Sequence, residues 1–131
     1  MARILLAEDN IVFRELLTAL LEAAGYAVEI AADGAAALAR ATAGSFDAVI
    51  ADIIMPNMDG LELIRLLRRE RPQLPIIAIS GTAGEERGQD YLPAAATFGA
   101  SATIGKRRIG EIVAILGELL AERGKGVAAA S

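Results

Sequence analysis

The chain has 131 residues, of which 54% are hydrophobic and only 4% aromatic, so a single domain with a mainly aliphatic core is expected. The net charge of −4 argues against nucleic acid as a partner, because binding to phosphates requires a basic surface. Cysteine and histidine are both absent, which excludes disulfides, thiol chemistry, Cys/His metal sites and histidine acid–base catalysis. Any chemistry must therefore use carboxylates, hydroxyls, lysine or arginine.

The beginning of the sequence, MARILL, runs directly into a strand pattern without the features of a signal peptide. The longest uncharged run, Tyr91 to Gly105, is interrupted by Pro93 and Gly99, which argues against a membrane span. We therefore expect a cytoplasmic protein with no contact to a membrane.

The first half of the chain alternates helical patterns with short apolar runs that are typical of buried parallel strands. Its predicted elements are a strand at Arg3–Glu8, a helix that Gly25 ends, a strand at Tyr26–Ala31, an alanine-rich helix ending near Gly44 and a strand at Phe46–Asp52. Asp9 or Asn10 is expected to cap the first helix, and Asp33 the second. The apolar run around Asp52 extends to Met55, and its residues are expected to be buried.

The second half continues the same alternation. Its predicted elements are a helix that Pro72 closes, a strand at Pro75–Ser80, a short fourth helix, a strand at Ala102–Gly105 and a last helix that Gly124 ends. Asp59 and Glu62 resemble a capping box at the start of the third helix. We expect residues 81–89 to form a mobile loop, after which Asp90 caps the fourth helix with Pro93 in its first turn.

Strands that alternate with helices predict an α/β doubly wound fold, with a parallel sheet covered by helices on both faces. We expect one domain over residues 1–124 and a flexible tail over residues 125–131. In such a fold the ligand site lies beyond the carboxyl ends of the strands.

Polar side chains stand where four of the predicted strands end. Glu8 and Asp9 end the first strand, Asp52 the third and Ser80 the fourth, and Lys106 follows the fifth. A carboxylate among Val and Ile costs several kcal/mol to bury without a partner, on the order of the penalty for an unpaired buried polar group. We expect these five side chains to meet at one edge of the sheet, where Lys106 and a bound Mg²⁺ would be the partners of Asp52.

Three carboxylates at this edge would repel one another and raise each other's pKa values. Mg²⁺, which prefers a few carboxylates together with water and phosphate, would relieve the repulsion. An ionised Asp52 could then attack phosphorus and form an aspartyl phosphate. Lys106 could neutralise the phosphoryl oxygens, and Ser80 could donate a hydrogen bond to one of them.

The segments LLAEDN, VIADIIMPNMDG and IIAISG, together with a lysine after the fifth strand, resemble the receiver domain of two-component response regulators, including the single-domain chemotaxis type. The resemblance extends from about Arg3 to Leu120. It implies a flavodoxin-like (βα)5 sandwich with strand order 2-1-3-4-5.

The resemblance also implies a role for each of the polar residues. Asp52 matches the phosphoacceptor, Ser80 matches the switch hydroxyl, and Lys106 matches the lysine of the family. For the metal, Asp9 matches a direct Mg²⁺ ligand, Glu8 matches an acid that acts through water, and Ile54 matches the residue whose backbone carbonyl completes the metal shell. The phosphoryl donor would be a phosphohistidine on a sensor histidine kinase or a histidine phosphotransfer protein, since this chain contains no histidine.

We expect a stand-alone receiver that signals by protein contact with a downstream target, which the sequence does not name. A homodimer and a fragment of a larger protein both stay open as alternatives. Its self-phosphorylation and self-dephosphorylation are not turnover on a separate substrate, so we do not expect an enzyme in the usual sense.

Two residues depart from the family pattern. Arg107 stands where a proline usually follows the lysine, and Thr103 stands where an aromatic residue usually couples to the switch hydroxyl. A third departure is the segment from Ser80 to Gly99, which is a few residues longer than expected and begins rich in glycine and charge. We expect residues 81–89 of this segment to be the main switch. The alternative is a degenerate receiver that binds a partner as an unphosphorylated scaffold.

Two other classes of protein fit the sequence less well. A phosphatase of the haloacid-dehalogenase type would need a second Asp two residues after Asp52, where Ile54 stands. A nucleotide-binding domain would need a Gly-rich turn after the first strand, where the sequence is instead acidic.

Overall fold

The computed structural model describes residues 1–55, 57–80 and 85–130, with the side chains of 85–91 and 124–130 left undescribed. Strands and helices alternate along the chain. The strands are β1 (Arg3–Ala7), β2 (Ala27–Ala31), β3 (Ala48–Asp52), β4 (Ile76–Ser80) and β5 (Ala102–Gly105). The helices are α1 (Ile11–Ala23), α2 (Gly34–Ala43), α3 (Gly60–Glu70), α4 (Glu85–Phe98) and α5 (Ile112–Ala130), with a 3₁₀ helix at Lys106–Glu111 before α5.

The five strands form one parallel sheet in the order β2-β1-β3-β4-β5, as the resemblance implies. The register pairs Ala7 with Ala51, Asp52 with Ile79 and Ser80 with Gly105. The carboxyl ends of these strands therefore lie at one edge of the sheet, which we call the carboxyl edge. The opposite edge, where the strands begin, is called the amino edge.

Alternate residues of the strands point to opposite faces of the sheet and bury two aliphatic cores. One core combines Leu5, Val49 and Ile76 with residues of α2, α3 and α4. The other combines Ile4, Ile50 and Ile77 with residues of α1 and α5. Because both faces are covered, the strands are apolar on both sides, which is why the sequence shows continuous apolar runs there.

Four predicted strand boundaries differ from the structure. β1 ends at Ala7, and β2, β3 and β4 begin one or two residues later than predicted. The apolar run after Asp52 is not wholly buried either, since the Ile54 side chain is 53% exposed. These boundaries shift by one or two residues because backbone pairing weakens gradually at strand ends, and the Glu8 N–H still donates to Ala31 O at 3.2 Å beyond the end of β1.

The predicted start of the fourth helix is wrong. α4 begins at Glu85, so Pro93 lies inside the helix and not in its first turn. A proline inside a helix is unfavourable but does not exclude one, so the position of Pro93 did not fix the start of α4. Residues 81–84, part of the predicted mobile switch loop, lie outside the described residues.

The predicted end of the last helix is also wrong. α5 continues past Gly124 to Ala130. A glycine inside a helix costs about 1 kcal/mol relative to alanine, but the alanines at 128–130 are the best helix formers and favour continuation. The flexibility of residues 125–131 stays a prediction. Among the described residues, every helix is too short or too polar to cross a lipid bilayer.

Candidate functional site

Three carboxylates meet at the carboxyl edge. Glu8 follows β1, Asp52 ends β3, and the pairing of these two neighbouring strands brings the acids side by side. One carboxylate oxygen from each of Glu8, Asp9 and Asp52 lies within 4.8 Å of the other two. Glu8 and Asp52 are buried, whereas Asp9 is exposed. The cluster therefore has a buried floor and one member open to solvent.

Lys106 supplies the positive charge beside the two buried acids. Its Nζ lies 3.1 Å from Glu8 Oε1 and 3.1 Å from Asp52 Oδ2. The lysine side chain is only 6% exposed, so it neutralises charge in a largely water-free environment. The ion pair between Asp52 and Lys106 is the one that the sequence predicts, but the sharing of this lysine with Glu8 was not predicted.

Two carboxylates share one ammonium here, which leaves the cluster short of positive charge. The pKa of Glu8 is raised to about 7, first by burial and then by the negative charge of Asp52, while Lys106 acts in the opposite direction. Glu8 Oε2 is buried without a hydrogen-bond partner among the described residues. Both observations fit the binding of a further cation at this cluster.

The second oxygen of Asp52 is held by the backbone. Oδ1 accepts a hydrogen bond from the Ile54 N–H at 3.2 Å, so the carboxylate is fixed at both ends. A hydrogen bond holds the following turn in place, since the Gly60 N–H donates to Ile53 O at 2.7 Å. A Cβ on Gly60 would lie 2.2 Å from the Asp52 carbonyl oxygen, so only glycine fits there.

The turn after β3 is also tied to α2. Asn57 adopts a positive φ of 69°, and its amide donates to Asp33 Oδ2 at 2.9 Å. Asp33 Oδ1 caps α2 by accepting from the Ala36 N–H, which, with the Asn57 bond, lowers the pKa of Asp33. Asp59 caps α3 by accepting from the Glu62 N–H at 2.8 Å. Asp33 and Asp59 thus act as helix caps.

The capping box predicted at Asp59 is only half formed, since the Glu62 carboxylate accepts hydrogen bonds from Arg65. At the start of α1 the cap is Asn10 and not Asp9, because Asn10 Oδ1 accepts from the Phe13 N–H. This leaves the Asp9 carboxylate available to the acidic cluster.

Ser80 ends β4, which lies beside the strand of Asp52, and it pairs with Gly105 of β5. Its side chain is buried, and its Oγ has no hydrogen-bond partner among the described residues. A buried hydroxyl without a partner is unusual, since such groups are normally satisfied. The predicted role of Ser80 as a donor to a phosphoryl oxygen stays a prediction that this geometry allows.

The carboxylate cluster fits Mg²⁺. The three acids offer the hard oxygen ligands that this ion prefers, and the exposed position of Asp9 leaves space for the water molecules that it retains. The unpartnered Oε2 of Glu8 is a further oxygen available to the ion or to its water. The predicted backbone ligand at Ile54 stays a prediction.

One residue of the site was missed by the sequence analysis. Phe13 lies on the inner stripe of α1, and its ring centroid is 4.4 Å from Lys106 Nζ. Periodicity shows that Phe13 faces inward but not what lies opposite it. The signal that could have found it is its position in the first turn of the helix that follows the acidic pair.

The chain matches the family model of the response regulator receiver domain over residues 4–116. It belongs to this family. A curated relative, the response regulator MprA of Mycolicibacterium vanbaalenii, is 40% identical over 99 residues, which cover 70% of this chain and 43% of that protein. This receiver domain thus spans less than half the length of the curated relatives that it matches.

Solved structures give the same result. A response regulator of Chloroflexus aurantiacus is 28% identical, with a TM-score of 0.82 and coverage of 92% of this chain and 98% of that one. The response regulator TrrA of Thermotoga maritima, solved with Mg²⁺ and BeF, is 29% identical, with a TM-score of 0.80 and coverage of 91% and 99%. The chain is therefore the receiver domain of a two-component response regulator.

Proposed function

We propose that this receiver domain accepts a phosphoryl group on Asp52 and signals by changing its contacts with another protein. The observation that carries the proposal is the placement of Asp52, which is fixed by the Ile54 N–H and Lys106 beside two further carboxylates. A buried carboxylate held in this way is oriented as a nucleophile, and the surrounding charges suit a phosphoryl group.

The donor in this proposal is a phosphohistidine on a sensor histidine kinase or a phosphotransfer protein. An oxygen of Asp52 forms a bond to phosphorus while the phosphorus–nitrogen bond breaks. The imidazole nitrogen keeps the electron pair of the broken bond, and a neutral imidazole leaves when the other ring nitrogen carries a proton. The products are an aspartyl phosphate and a free histidine, so atoms and charge balance.

The residues of the chain have separate tasks in this transfer. Lys106 moves from its contact with Asp52 Oδ2 to an oxygen of the entering phosphoryl group, and Ser80 donates a hydrogen bond to another. When bound by Asp9 and Asp52, with Glu8 acting through water, Mg²⁺ supplies the charge that offsets the phosphoryl oxygens. Water that later attacks phosphorus breaks the bond between phosphorus and the Asp52 oxygen, and inorganic phosphate leaves. The free Asp52 carboxylate is restored, so the domain is a switch and not an enzyme with a separate substrate.

The test is the intact mass of the protein after incubation with phosphoramidate or acetyl phosphate, with and without Mg²⁺. We expect a single phosphoryl adduct that requires Mg²⁺ and is absent in Asp52→Asn. Asp59→Asn is the matched control, because asparagine caps a helix as well as aspartate does, and it should accept the phosphoryl group normally.

An adduct that persists in Asp52→Asn would contradict the assignment of the acceptor. Absence of both the adduct and Mg²⁺ binding in the wild type would contradict the whole proposal and favour the unphosphorylated scaffold. Thr103 and Arg107 would then be the residues that account for the loss.

A further inference from the structure

We propose that Phe13 is a positioning residue for phosphoryl transfer, whose ring face holds the Lys106 ammonium beside Asp52. This inference rests on the proposed function of Asp52 as phosphoacceptor. The acidic cluster attracts the ammonium, and the apolar ring of Phe13 limits where it can lie.

The contact geometry supports an interaction between the cation and the ring. Lys106 Nζ lies 4.4 Å from the centroid of the Phe13 ring, within the distance at which the negative face of an aromatic ring attracts a cation. The same nitrogen lies 3.1 Å from Glu8 Oε1 and 3.1 Å from Asp52 Oδ2. The ammonium therefore has two carboxylates and one ring as neighbours, and it is shielded from water.

Lys106 needs such a neighbour because its own side chain is flexible. It is the first residue of the 3₁₀ helix, preceded by Gly105 and followed by Arg107. A lysine side chain has a flexible four-carbon stem, and neither flanking residue is a proline that would fix the local backbone. The ring of Phe13 and the two carboxylates thus determine where the ammonium lies.

A ring suits this task better than a polar side chain would. The lysine must move from Asp52 Oδ2 to a phosphoryl oxygen when the phosphoryl group enters. A hydrogen bond to a fixed polar neighbour would have to break during this movement, whereas the attraction to a ring face changes gradually with position. Phe13 therefore confines the ammonium without trapping it in the ground state.

Phe13 also has a packing role, since it lies against the core between the sheet, α1 and α5. The experiment must therefore separate the loss of packing from the loss of the ring. Phe13→Leu keeps an apolar side chain and removes the ring, while Phe13→Tyr keeps the ring. Phe46→Leu is the matched control, because it removes a ring that lies 4.7 Å from Arg3 at the amino edge.

The measurement is the rate of phosphoryl uptake from acetyl phosphate at saturating Mg²⁺, by intact mass. We expect Phe13→Leu to slow uptake about 3- to 30-fold, Phe13→Tyr to restore most of the rate, and Phe46→Leu to leave it unchanged. In a Lys106→Gln background Phe13→Leu should cause no further slowing, since the ring acts through the ammonium.

A second measurement needs no variant. The ε-methylene protons of Lys106 should show an upfield ring-current shift in the NMR spectrum of the wild type, and this shift should disappear in Phe13→Leu. The shift must be present if the ring holds the lysine, and its absence in the wild type would overturn the contact.

An unchanged rate in Phe13→Leu would overturn the role of Phe13, as would equal slowing in the presence and absence of Lys106. A wild-type protein that takes up no phosphoryl group would instead overturn the proposed function itself. The two failures are thus distinguished by whether the wild type is labelled.

Discussion

The two edges of the sheet differ in how far their polar groups are hydrogen-bonded. At the carboxyl edge, Glu8 Oε2 and Ser80 Oγ have no hydrogen-bond partners among the described residues, and two carboxylates share one lysine. At the amino edge, Arg68 donates to carbonyl oxygens of Gly99, Arg71 and Pro72 at 2.7 to 3.1 Å. Among the described residues, the carboxyl edge thus has buried oxygens with unused hydrogen-bonding capacity, whereas Arg68 at the amino edge has several acceptors.

The amino edge also uses Ser101 fully. Ser101 Oγ accepts from the Ile76 N–H at 3.1 Å and from Arg68 at 3.3 Å. Burial lowers the pKa of Arg68, which has carbonyls instead of carboxylates as its nearest partners. Gly99 fits closely under this arginine, since a Cβ on Gly99 would lie 2.7 Å from Arg68 Cγ.

This difference separates the polar groups that stabilise the fold from those that remain available to a ligand. Satisfied hydrogen bonds stabilise the fold, whereas unsatisfied groups reduce stability unless a ligand completes them. The carboxyl edge is therefore less stable than it could be, in the way expected of a site that binds a cation and a phosphoryl group. Substitutions at corresponding positions of the two edges should have opposite or unequal effects on stability.

The largest expected effect is at the amino edge. Arg68→Met should lower the free energy of unfolding by about 2 to 3 kcal/mol, because it keeps the apolar stem but removes a charged donor from three carbonyls, of which the Gly99 carbonyl is partly buried. Urea denaturation measures the change. Arg69→Met, at the exposed next position of α3, is the control and should have little effect. Equal losses in the two variants would show that Arg68 does not hold this edge together.

At the carboxyl edge we expect a smaller effect, and it should raise the free energy of unfolding instead of lowering it. Because the folded-state pKa of Glu8 is raised to about 7, the folded protein holds a proton between pH 4.5 and 7 that the unfolded chain releases. The contribution of wild-type Glu8 to stability therefore falls as pH rises through this interval. Without Mg²⁺, Glu8→Gln should raise the free energy of unfolding by about 1 to 2 kcal/mol above pH 7, with little gain near pH 4.5.

The control for this prediction is Glu62→Gln. Hydrogen bonds from Arg65 lower the pKa of Glu62, so the charged form of that residue stabilises the folded state above its unfolded pKa. Glu62→Gln should therefore give no gain in stability at neutral pH. Urea denaturation at several pH values measures both variants, and a gain from Glu8→Gln that does not depend on pH would contradict the assignment to ionisation.

The smallest effect is expected for the two serines. Ser80→Ala should change the free energy of unfolding by less than about 0.5 kcal/mol, because its hydroxyl has no partner to lose. Ser101→Ala should cost about 1 kcal/mol, since the Ile76 N–H loses its acceptor. Thermal unfolding of the two variants compares the edges directly. A larger loss of stability in Ser80→Ala than in Ser101→Ala would contradict the proposed difference between the edges.

Most of the fold could be predicted from the sequence because its signals are local. Apolar runs gave the strands, and Asn10, Asp33 and Asp59 cap helices where a cap was expected. The start of α4 and the end of α5 could not be predicted, because Pro93 and Gly124 disfavour a helix without forbidding it. In these two cases neighbouring residues outweighed a single unfavourable one.

The site could be predicted in part because the topology of a parallel sheet brings strand ends together. That argument places Glu8, Asp52 and Lys106 at one edge, where the structure has them in contact. It does not show which side chains touch, so the contact between Phe13 and Lys106 was not found. The exposure of Ile54 was also missed, because an isoleucine after a buried strand gives no sign that the chain has turned outward.

The ion pair between Glu8 and Lys106 joins residues that are 98 positions apart in the chain. A ribosome adds about 5 to 20 residues per second, so about 5 to 20 s separate the synthesis of the acid from that of its counter-charge. Asp52 is made before the lysine as well. A nascent chain therefore carries an acidic cluster without its ammonium until the last strand has been made. The charge balance of the cluster and the closure of the sheet are completed in the same step of biosynthesis.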